Sequence, residues 1–172
     1  MLVLTPSTPR LGYVLAHDAG AGMRQPFLET ISQALFDRDV ATLRYDFAYM
    51  EAQRNRPDPP AVAAARVREA VQRARAVWPG LPLLAGGKSF GGRMTSTAQA
   101  EEPLELVRGL AFPGFPLATG GCEKLGPRAA LQLIDEADHS FKVPKRTGRT
   151  AEQVMADLAD RIAEFGGSLA AQ

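Results

Sequence analysis

Apolar and polar positions along the chain fall into short apolar runs separated by longer stripes of helical spacing. Leu11-Gly-Tyr-Val-Leu-Ala-His17 is a run of strand length that ends in Asp18-Ala-Gly-Ala-Gly22, so it reads as a strand entering a loop. Pro26 opens a segment that places Phe27, Leu28, Ile31 and Leu35 on one face of a helix. Val40-Ala-Thr-Leu-Arg-Tyr-Asp-Phe47 is rich in β-branched and aromatic residues and predicts the next strand. A polar loop with Arg54, Arg56, Pro57, Pro59 and Pro60 follows. From Ala61 to Trp78, Val67, Val71, Ala74 and Trp78 share one face, while Glu69 and Arg73 stand at pairing distance on the other. Leu81–Ala85 reads as a short buried strand, 93–100 as a helix, and Val107–Phe112 as a further strand. A Pro/Gly-rich loop, 113–121, precedes a last strand at Ala130–Ile134. Thr150 and Gln153 have capping-box spacing ahead of a terminal helix whose core face carries Val154, Leu158, Ile162 and Phe165. Strands separated by helices require parallel crossovers. The expected architecture is one domain over 1–172, a three-layer α/β/α sandwich with a mainly parallel sheet.

Composition narrows the function classes. With 172 residues, 45% hydrophobic and 23% charged, the chain can bury a sizeable core. A net charge of +1 provides no global field for nucleic acid or an acidic membrane, so neither partner is expected. The single cysteine, Cys122, excludes an internal disulfide framework and suits a reducing cytoplasm. Met1-Leu-Val-Leu4 lacks a basic leader region, Pro6 and Pro9 follow at once, and no apolar run approaches the ~18 residues of a membrane span. A cytoplasmic protein is therefore expected. Metal-ligand spacings, a dinucleotide fingerprint and a P-loop are all missing, so no cofactor and no metal are expected.

The chemistry concentrates at Gly87-Lys88-Ser89-Phe90-Gly91, a Gly-x-Ser-x-Gly match lying after a predicted strand and before a predicted helix. That context is the one a nucleophile elbow requires. Glycines two residues either side permit a tight turn that lifts the serine hydroxyl above the sheet, and the Phe90 N–H then faces a developing oxyanion. Glycines also shape ordinary strand-to-helix turns. The loop His17 to Gly22 follows an early strand, where the Ala19 or Gly20 N–H can serve as second oxyanion donor; an ordinary Gly-rich turn has the same composition. His17 precedes the nucleophile and reads as a structural loop residue. His139 follows the last strand, where the base belongs in the order Ser, acid, His, and there are two histidines in all. Its role is to take the Ser89 proton and return it to the leaving group.

Three segments in chain order, Leu43-Arg-Tyr-Asp-Phe-Ala-Tyr-Met50, Gly86-Gly-Lys-Ser-Phe-Gly-Gly-Arg-Met94 and Asp138-His-Ser-Phe-Lys-Val-Pro-Lys-Arg146, resemble the testis-expressed-protein-30-like branch of the α/β-hydrolase superfamily. That branch is related to dienelactone-hydrolase-like proteins. The resemblance extends from about Gly12 to Phe165. It implies Ser89 as nucleophile, His139 as base, and oxyanion donors at Phe90 and in the Gly20 loop.

Two departures qualify it. Asp18 stands where the family usually has glycine, and a carboxylate beside an oxyanion hole opposes the charge developing there unless it points to solvent. The family also has a penultimate strand ending in a Gly-x-x-Asp-type loop that supplies the acid. Here only 50 positions separate Ser89 from His139, room for one strand where two are expected. Asp135, Glu123 and Asp138 are the substitute candidates, each also readable as a solvated carboxylate. Loss of the acid costs about 10⁴ in rate in a serine protease. A missing strand also leaves an exposed edge, which favours a homodimer.

Lys142, Lys145, Arg146 and Arg149 cluster near the base, and Arg54 and Arg56 follow the second strand; each group reads as a solvated basic loop before it reads as an anion trap. Cys122 reads as a passive thiol. The expected function is a serine hydrolase of esterase or thioesterase type, acting on a small soluble ester through an acyl-enzyme at Ser89. The alternatives are a weak or inactive hydrolase-fold binding protein and a deletion variant lacking a segment between Leu117 and Ala130.

Overall fold

The computed structural model describes residues 1–114, 138 and 141–170. Along the chain lie β1 (Leu2–Leu4), β2 (Leu11–Ala16), α1 (Pro26–Phe36), β3 (Val40–Tyr45), α2 (Ala48–Glu51), α3 (Pro60–Val77), β4 (Leu83–Gly87), α4 (Phe90–Glu101), β5 (Val107–Ala111) and α5 (Ala151–Ala170). The described strands form one sheet in the order β1-β3-β2-β4-β5. β1 runs antiparallel to β3, and the remaining pairs are parallel.

Every residue of β2 is buried, as a central strand covered on both faces requires. Its side chains alternate between two cores. Leu11, Tyr13 and Leu15 join Leu28, Ile31 and Leu35 of α1 and Met155, Ala159 and Ile162 of α5. Val14 and Ala16 point the other way, towards Val67, Val71 and Ala74 of α3 and Met94 and Ala98 of α4. The expected three-layer α/β/α sandwich with a mainly parallel sheet is therefore present.

The differences from the sequence pattern are local. β4 starts two residues later than its apolar run, because Pro82 has no N–H for the ladder, although its carbonyl still accepts the Gly12 N–H of β2 at 2.9 Å. α4 begins at Phe90 and not at Arg93, directly behind the elbow. Neither β1 nor α2 was foreseen: three and four residues are too short to show a period. β1 is held by its antiparallel register, Leu2 opposite Arg44 and Leu4 opposite Thr42. The strand expected at Ala130–Ile134 lies outside the described residues. Among the described residues no helix is long and apolar enough to cross a membrane.

Candidate active site

β4 ends at Gly87 and α4 begins at Phe90, so Lys88 and Ser89 form the entire connection. Ser89 has φ 47° and ψ −108°, far from the left-handed well near ψ +47° that L-residues occasionally visit. Such a conformation persists only where the surroundings impose it. Here the end of β2 imposes it. A Cβ on Gly87 would stand 2.3 Å from the Ala16 carbonyl oxygen, and one on Gly91 2.6 Å from that of His17. The Lys88 N–H completes the seat by donating to the Ala16 carbonyl at 3.1 Å. Ser89 occupies the N-cap position of α4, yet its hydroxyl makes no capping hydrogen bond. The Oγ is thus free of the helix that the serine introduces. Phe90, as the first helical residue, has an N–H with no carbonyl behind it inside α4.

The neighbouring loop, 18–22, is held by the segment that follows β3. Asp46 Oδ1 accepts the Met23 N–H at 2.7 Å. The Gly20 N–H donates to the Tyr49 hydroxyl at 2.8 Å. The Phe47 N–H donates to His17 Nε2 at 3.2 Å. One stretch, Asp46 to Tyr49, therefore fixes the proposed oxyanion loop from three sides. The Gly20 N–H is engaged in this arrangement; of the two residues expected to supply a second donor, Ala19 retains an N–H without a hydrogen bond among the described residues. Beneath the elbow the rings of Phe47 and Tyr49 meet Phe90 edge to face, with centroids 5.1 and 6.4 Å apart.

His17 is fully buried, and its role is structural. Nδ1 lies 2.7 Å from the Asp18 carbonyl, while Nε2 accepts from Phe47; a nitrogen that accepts an N–H is bare, so the proton resides on Nδ1 and the ring is neutral. Burial pushes its pKa below the ordinary histidine value, against the pull of the Asp18 carbonyl and the Asp46 and Asp18 carboxylates. The unfolded chain takes up that proton near pH 6.5. The neutral His17 contribution is therefore complete above about pH 6.5 and is lost as pH falls from there towards the lowered folded value. Its slope is at most about 1.4 kcal/mol per pH unit for one proton. In a His139→Gln background, which removes the other histidine, urea midpoints should fall between pH 7 and pH 5. A flat profile would contradict the neutral, buried assignment.

Asp18 is only partly exposed. Its Oδ2 lies 3.3 Å from Lys88 Nζ, in the elbow itself, and its Oδ1 is buried without a hydrogen-bond partner. Lys88 is buried as well, with Nζ 5.1 Å from the centre of the Phe27 ring. The Phe27 ring also stacks on Phe141 at 5.4 Å and 12°. The Phe141 N–H donates to the Asp138 carbonyl at 2.9 Å, and Asp138 Oδ1 accepts the Lys142 N–H at 2.9 Å. His139, Asp135, Glu123 and Cys122 lie outside the described residues. Arg54 pairs with Asp58 at 2.7 Å and Arg149 with Asp157. Among the described residues no group of three His, Cys, Asp or Glu side chains is placed to hold a metal ion.

A family model described as an alpha/beta hydrolase domain matches residues 9–125. Among solved structures, a dienelactone hydrolase from Anabaena variabilis ATCC 29413 is 19% identical with a TM-score of 0.68, and the match covers 94% of this chain and 88% of that one. A protein from Xanthomonas campestris, described as a member of a/b serine hydrolase without lid, is 16% identical with a TM-score of 0.73, covering 95% of this chain and 87% of that one. At such identities the likeness concerns the fold. No curated protein sequence matches the chain.

Proposed function

The chain belongs to the α/β-hydrolase domain family, and from that premise we propose that it is a serine hydrolase of esterase or thioesterase type acting on a small soluble ester. The observation that carries the reading is the turn at Ser89: a backbone conformation imposed by β2, with a hydroxyl that the adjoining helix does not use. In this reading Ser89 Oγ attacks the ester carbonyl and its proton passes to His139. The carbonyl oxygen becomes an oxyanion held by the N–H groups of Phe90 and Ala19. Collapse expels the alcohol or thiol, protonated by His139, and leaves an acyl-serine that water then hydrolyses by the same steps. Placement in the testis-expressed-protein-30-like branch rests on the three segments, of which Asp46 to Tyr49 now has a physical role, holding the loop at 18–23.

A second reading, a weak or inactive hydrolase-fold binding protein, is favoured by one observation: the Gly20 N–H is already donated to Tyr49. A fluorophosphonate probe decides between them. Wild type should label covalently and Ser89→Ala should not. Equal labelling, or none in either protein, would remove the hydrolase reading.

A further inference from the structure

Resting on the hydrolase reading, we infer that Lys88 is a positioning residue whose ammonium is the counter-ion of Asp18 and keeps the oxyanion site free of net negative charge. Asp18 precedes Ala19, the proposed second donor, and Lys88 precedes Ser89, the nucleophile. Their side chains meet at 3.3 Å across 70 positions of sequence. A carboxylate in this loop opposes an oxyanion forming on the adjacent N–H groups. One Asp18 oxygen is buried without a hydrogen bond, and among the described residues Lys88 is the cation that pairs with the carboxylate. Lys88 is firmly held beside it. The residue is 5% exposed, its N–H is donated to β2, and its Nζ lies over the Phe27 ring. A surface lysine would be free to move away and would screen the carboxylate poorly.

The pair acts on the transition state and not on substrate binding, since the oxyanion exists only during turnover. Lys88→Met should lower kcat about 15-fold with KM changed less than twofold, the size of a unit charge acting over about 10 Å at an effective dielectric constant of about 20. Asp18→Asn placed on top of Lys88→Met should then restore most of that loss, because the charge needing compensation is gone. A purely mechanical tie between loop and elbow predicts the opposite, a double variant no faster than Lys88→Met. That result overturns the inference while leaving the hydrolase reading intact. Should Lys88→Met fail to fold, as circular dichroism would show, Asp18→Asn alone decides: its kcat should equal or exceed that of wild type, and a tenfold fall overturns the inference. A wild type that neither turns over short-chain esters nor labels with the fluorophosphonate removes both readings together.

Discussion

Ser89→Gly should unfold at a higher urea concentration than wild type, by about 1–2 kcal/mol, while losing at least about 10⁴ of its turnover of a short-chain ester. The two effects have one source. At φ 47° and ψ −108° a side chain is held in a region costing about 1–3 kcal/mol for any residue with a Cβ, and glycine enters it freely. Part of the gain is offset by the greater backbone freedom of glycine in the unfolded chain, about 0.5–1 kcal/mol. No capping bond is forfeited, because the hydroxyl makes none. The loss of turnover follows from removing the nucleophile of the proposed mechanism, for which a comparable serine deletion in a protease costs about 10⁶. Ser89→Ala is the control that separates strain from chemistry. It should lose as much activity as Ser89→Gly but gain no stability, since its Cβ remains. Equal midpoints for the glycine and alanine variants, at unchanged slope, would limit the strain to the about 0.5–1 kcal/mol that the backbone freedom of glycine offsets.

Gly91→Ala should cost about 3 kcal/mol and lower kcat about 100-fold. A Cβ there would meet the His17 carbonyl oxygen at 2.6 Å, the Ala16 Cβ at 2.7 Å and the Ala16 carbonyl carbon at 2.8 Å. None of these atoms sits on a flexible side chain, so α4 and β2 must separate by the better part of an ångström. Overpacking of that kind costs about 1–3 kcal/mol, and here it also disturbs the seat of the elbow. Displacing a nucleophile by about 1 Å is enough for a 100-fold loss of rate. The diagnostic pattern is a fall in kcat and in urea midpoint together, with KM little changed. A variant with wild-type turnover would mean that the elbow does not depend on the close contact between α4 and β2.

Much of the architecture was legible because burial imposes periodicity. Leu28, Ile31 and Leu35 repeat at helical spacing because α1 covers one face of the sheet, and the unbroken apolar run 11–16 reflects a strand covered on both faces. The elbow was legible for another reason. Gly87 and Gly91 flank Ser89 at fixed spacing because the clash they avoid is with one neighbouring strand, so a tertiary constraint is written into five consecutive residues. β1 could not be read, since three residues are too few to display a period.

Beyond local pattern, the sequence by itself determined the order of the longer described strands and helices, the place of the serine between β4 and α4, and the chain order of serine and histidine. Which side chains face each other was decided by the tertiary structure alone. Periodicity reports which face of an element is buried, not what lies opposite it. Asp18 reads as an unwelcome charge until Lys88 is placed 3.3 Å away. Gly20 reads as a free donor until the Tyr49 hydroxyl, 29 residues on, takes its N–H. His17 reads as a structural loop residue, but only burial and two backbone contacts fix it as neutral. Each of these depends on crossover connections that bring separate strand ends to one edge of the sheet, and no local pattern encodes that meeting.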